Sequence, residues 1–107
     1  MSETDRELLK FAAKAAGFVS YDHENSLATD MWSRGYRWNP IADDGDALRL
    51  AVKLGIVVEY RREVPACFAY HYNSNLEVVQ RNDQLDPLAA TRRAIVRAAA
   101  EIGRNIS

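Results

Sequence analysis

Hydrophobic and polar positions alternate with two different periods along this chain, and the switch between them marks the elements. Leu8, Phe11, Ala12 and Ala15 recur at helical spacing behind a Thr4-x-x-Glu7 pair, while Arg6, Lys10 and Ala13 fall away from the stripe. This predicts a first helix that ends at Gly17. A second helix is expected from about Asp44 to Leu54, with Asp43 as its N-cap and Gly55 as its stop. Its wide apolar face would hold Ala47, Leu48, Leu50, Ala51, Val52 and Leu54. A third helix opens at Asp86-Pro87 and runs to about Gly103, with Leu88, Ile95, Ala99 and Ile102 on one stripe.

Between the second and third helices the period falls to two. Ile56–Arg61, Ala66–Tyr72 and Leu76–Gln80 read as strands, split by turns at Glu63-Val64-Pro65 and Asn73-Ser74-Asn75. Two tight connections imply an antiparallel meander. Residues 18–42 have no clean period. Phe18–Tyr21 reads as a short strand and Asp22–Asp30 as loop. Met31–Trp38 is aromatic and interrupted by Gly35, a bent edge strand or an ordered loop. The expected architecture is α+β: an antiparallel sheet of three or more strands with three helices packed on it, in an α-β-α arrangement. At 107 residues the chain is expected to be a single domain spanning 1–107.

Composition removes several classes of function. The formal net charge is −1, which gives no electrostatic reason to expect a membrane or nucleic acid. The charge is unevenly spread, with nine acids and five bases in residues 1–46 and six acids and nine bases thereafter. One cysteine, Cys67, permits no intrachain disulfide, so a reducing compartment is expected. The polar start, Met1 to Glu7, does not read as a signal peptide, and no apolar run has the ~20 residues of a membrane helix. A cytoplasmic protein is expected.

Candidate chemistry is sparse. Asp43-Asp44-Gly45-Asp46 is too bunched for a calcium loop and lacks its distal Glu, so helix capping is the expected role. Cys67 and His71 lie four apart on one strand, roughly 13 Å at ~3.3 Å per residue, beyond the reach of a shared metal or a nucleophile–base pair. No metal, cofactor or catalytic residue is expected, and an enzyme is not. Two surface candidates remain. Trp32, Tyr36 and Trp38 with interleaved Arg34 and Arg37 have hot-spot composition, a pattern that an edge strand packing alternate rings inward would also give; Trp32 is expected exposed, and Trp38 buried at the entrance to the second helix. Arg93 and Arg97 on the third helix could meet an anion or nucleic acid, or form a solvated face with Arg97 paired to Glu101. Arg92 lies nearer the apolar stripe, where its stem can pack on the core. The order helix, three strands, helix from Asp44 is also that of a double-stranded RNA-binding domain, but Asp86 has the wrong sign at the start of the last helix.

Three stretches together resemble a family of small bacteriophage and prophage proteins, the phage ABA-sandwich domain. They are Asp5–Gly17, the block from Trp38-Asn39-Pro40 to Leu54, and Ala89–Ala99 with its Arg93-Ala94 step. The resemblance has no counterpart for Asp22–Gly35. It implies a phage-derived helix–sheet–helix domain and carries no activity or catalytic residue. The expected function is a non-enzymatic phage or prophage accessory protein in the bacterial host cytoplasm, binding a host or phage protein. The alternative is a nucleic-acid-binding domain using the arginines of the C-terminal helix.

Overall fold

The computed structural model describes residues 4–83 and 85–106; the polar start Met1-Ser2-Glu3 lies outside the described residues. The element order is α1 (Asp5–Ala15), β1 (Ser20–Asp22), β2 (Leu27–Thr29), β3 (Gly35–Arg37), α2 (Asp44–Leu54), β4 (Ile56–Arg61), β5 (Ala66–His71), β6 (Glu77–Arg81) and α3 (Pro87–Arg104). The strands form two three-stranded antiparallel sheets, β1-β2-β3 and β4-β5-β6. The fold is α+β, with the expected meander after α2 and a second, smaller one before it. The stretch Asp22–Asp30, read as loop, instead holds the turn and strand β2. A three-residue strand is too short to show a period, and only Ala28 of β2 is buried.

Local chemistry sets each helix start. The Asp43 carboxylate accepts from the Asp46 N–H at 2.8 Å, and that of Asp86 accepts from the Ala89 N–H at 2.7 Å with Pro87 following. Thr4 Oγ1 accepts from the Glu7 N–H and its hydroxyl donates to Glu7 Oε1, a variant of the capping box. Gly55 closes α2 in the left-handed region at φ 71°, where an L side chain would be strained.

Helix α3 is the centre of the molecule. It packs against α1, α2 and all three strands of the β4-β5-β6 sheet. Ala90, Ala94, Val96, Ala98, Ala99 and Ala100 are fully enclosed because neighbours cover the helix on several sides. Where α3 passes α1, a Cβ on Gly103 would collide with the Phe11 carbonyl, so the two backbones meet there without a side chain between them. Covering from two sides also explains α1, which buries Leu9 and Ala13 as well as Leu8 and Ala12. Ala13 was expected outside the stripe; a single stripe underestimates a helix with two neighbours.

Three expected core residues are on the surface. Leu48 is 64 %, Val52 74 % and Leu88 62 % exposed. The buried face of α2 narrows to Ala47, Leu50 and Ala51. Leu54 packs partly against the core, and Leu48 and Val52 remain largely exposed.

Candidate functional site

Strands β2 and β3 are joined by a hairpin whose tip is Met31-Trp32-Ser33. Asp30 organises it. Its carboxylate accepts from the Trp32 N–H (2.9 Å), the Arg34 N–H (3.0 Å), Arg34 Nε (3.1 Å) and the Tyr36 hydroxyl (3.0 Å). The backbone is closed by Asp30 N–H to the Arg34 carbonyl and Ser33 N–H to the Asp30 carbonyl, with Ser33 in the left-handed region at φ 64°. Partial burial pushes the Asp30 carboxyl up, but the bonds from Arg34, Tyr36 and Trp32 and the Arg34 charge outweigh it and hold it below the usual carboxylate range. The same bond to Asp30 raises the Tyr36 phenol.

The tip projects its apolar side chains into solvent. Met31 and Trp32 are each 69 % exposed, and the Arg34 guanidinium lies 5.5 Å from the Trp32 ring centroid. Tyr36 leans on Phe18, Phe18 meets Trp38 edge-on at 5.3 Å, and Trp38 meets Tyr21 at 5.7 Å. Trp38 is buried, as expected, and this ring chain ties the hairpin to the core. Beside the tip, Met31, Trp32, Arg34 and Tyr36 share a cavity of about 310 Å³ with Phe18 and Lys53.

Of the six residues singled out, Trp32, Arg34 and Tyr36 are brought together around Asp30. Arg37 is exposed at the end of β3, paired in register with Leu27. Arg93 and Arg97 belong to a different region and are bonded within the fold. Arg93 pairs with Asp5 of α1 at 2.7 Å, and Arg97 donates to the Val79 carbonyl and Gln80 Oε1, each at 3.0 Å. Burial and the neighbouring Arg93 charge lower the Arg97 pKa. The expected Arg97–Glu101 pair is replaced by Arg104–Glu101 at 2.8 Å, since β6 offers Arg97 closer acceptors. Arg92 reaches the Ile41 carbonyl (2.7 Å) and Asp44 (2.6 Å).

Sequence reasoning missed Asp30, Met31 and Lys53. An Asp two and four residues before bonded amides is an Asx-turn signal, readable from Asp30-Met31-Trp32-Ser33-Arg34. Lys53 comes from a distant helix and has no local signal. The acidic run at α2 is engaged: Asp46 accepts from the Asn39 N–H and Arg49, and Asp44 from Arg92. Cys67 is buried in β5, and desolvation raises its thiol pKa. Among the described residues no three His, Cys, Asp or Glu side chains are grouped to hold a metal, and no helix is long and apolar enough to cross a membrane. A scan against family models finds no match, and comparisons with curated proteins and with solved structures likewise return none.

Proposed function

We propose that this chain is a small non-enzymatic binding module of phage or prophage origin, acting in the host cytoplasm, and that the Trp32 hairpin is its recognition surface for a host or phage protein. The observation that carries this reading is Trp32, 69 % exposed on a tip fixed by four bonds to one carboxylate. A large ring held outward loses little freedom on binding, which is what makes Trp an effective anchor. Lys53 lines the same cavity and Arg34, paired with Asp30, lies over the ring, so an apolar pocket that accepts the ring is the complementary partner surface. The phage origin rests on the sequence resemblance alone. The arginines of α3 favour no second reading, because their guanidinium groups are bonded internally.

The test uses the wild-type chain and Trp32→Ala as paired baits in host lysate. A protein retained by the wild type and bound at least about 30-fold more weakly by the variant supports the reading, that factor being ~2 kcal/mol. The melting midpoints must agree. Equal retention by both baits counts against it. Salt-sensitive retention of duplex nucleic acid by both would move the function to the alternative class.

A further inference from the structure

Gly17, at φ 90°, turns the chain from the end of α1 towards β1. The Gly17 N–H donates to the Lys14 carbonyl and the Phe18 N–H to the Ala13 carbonyl, each at 3.1 Å, so the turn is tight and β1 lies beside α1. The two elements do not close completely. A cavity of about 560 Å³ remains, lined by Lys10, Phe11, Lys14, Phe18, Val19 and Tyr21 among others. That volume falls within the ~300–1,000 Å³ of small-molecule sites. Its walls are largely aromatic, with Phe11, Phe18 and Tyr21 each half-buried and Val19 exposed beside them.

The charge on this cavity has one sign. Lys10 and Lys14 lie one turn apart on α1, and no Asp or Glu lines the cavity. Neither lysine forms an ion pair among the described residues. Lys10 Nζ lies 5.8 Å from the Phe11 ring centroid. Lys14 Nζ donates to the Ile106 carbonyl at 2.8 Å, which uses one of its three N–H groups and leaves its charge uncompensated. The C-terminus of α1 offsets only part of this, about half a negative charge against two full positive ones.

We infer that this cavity binds a small aromatic anion, its ring against Phe11, Phe18 and Tyr21 and its carboxylate, sulfonate or phosphate at Lys10 and Lys14. Charge-assisted bonds to the ammonium groups fix the acidic end, and the rings bury the body. The site shares only Phe18 with the cavity beside Trp32, so it stands apart from the recognition role proposed for that ring.

Two fluorescent probes of nearly the same shape test this, anilinonaphthalene sulfonate and its uncharged counterpart phenylnaphthylamine. The folded wild type is expected to take up the sulfonate saturably, one per chain, and more tightly than the neutral probe. Lys10→Gln with Lys14→Gln should weaken the sulfonate at least about tenfold, as loss of a charge-assisted bond does, and leave the neutral probe unchanged. Lys10→Gln alone should act in the same direction if the double variant fails to melt cooperatively. Val19→Glu should also weaken the sulfonate, whereas Leu88→Lys and Trp32→Ala should not. A wild type without saturable binding, or with equal affinity for both probes, overturns the proposal. Undiminished sulfonate binding in the folded lysine variants overturns it as well. Loss confined to Leu88→Lys or to Trp32→Ala places the probe on another face and has the same result.

Discussion

Asp30 does at the level of one carboxylate what a longer loop would need several residues to do. Its pKa is lowered in the fold, so its contribution is complete above the unfolded value of about 4 and is lost as pH falls through the lower folded value. In a Trp38→Phe background, Trp32 emission should therefore change as the pH falls below about 4, before or apart from the loss of far-ultraviolet signal. Asp30→Asn should abolish that step; an unchanged titration would show that the tip is held by something else. Asp43→Ala should cost about 0.5–2 kcal/mol in chemical denaturation through loss of the cap on α2, with no recovery on adding calcium. Gly103→Ala is the severest small change, because the added methyl meets the Phe11 backbone and not a movable side chain. It should cost about 1–3 kcal/mol or more as overpacking, and a variant as stable as the wild type would mean that α1 and α3 separate easily.

The helices were the most legible elements, since caps, prolines and glycines are local and act within a few residues. The strands β4 to β6 followed from their two-residue period. What the sequence could not show was which side of each element meets a neighbour. Leu48, Val52 and Leu88 fit a buried face by periodicity, yet the fold leaves them bare. Leu9 and Ala13 reverse the case. The arginines of α3 were also illegible, because Asp5, Ile41 and Val79 approach them only after folding. Arg97→Ala should accordingly cost about 1.5–3 kcal/mol, the range for a hydrogen-bonded charge, well above the ±0.5 kcal/mol of a solvated side chain. A urea titration decides between them. The candidate site was half readable: Trp32, Arg34 and Tyr36 stand out by composition, while Asp30 as a shared acceptor requires the turn geometry.

At the scale of the whole molecule the two tryptophans should separate stability from recognition. Trp38→Ala should cost about 3–5 kcal/mol out of a total near 5–15 kcal/mol, and Trp32→Ala should leave the melt almost unchanged. A large loss of stability in the Trp32 variant would place that ring in the fold and not at its surface. The central position of α3 has a kinetic consequence. Its contacts with α1 join residues about as far apart in sequence as this chain allows, as in Arg93 with Asp5 and Gly103 beside Phe11. Such contacts raise the contact order and must close a long loop before any of them is rewarded. On a ribosome, residues before Pro87 emerge with the alanine-lined centre of the core still missing, so helices α1 and α2 wait with their apolar faces uncovered. Folding should be a late event, completed only when α3 is free of the exit tunnel, and that interval is when the chain is most open to chaperones and proteases.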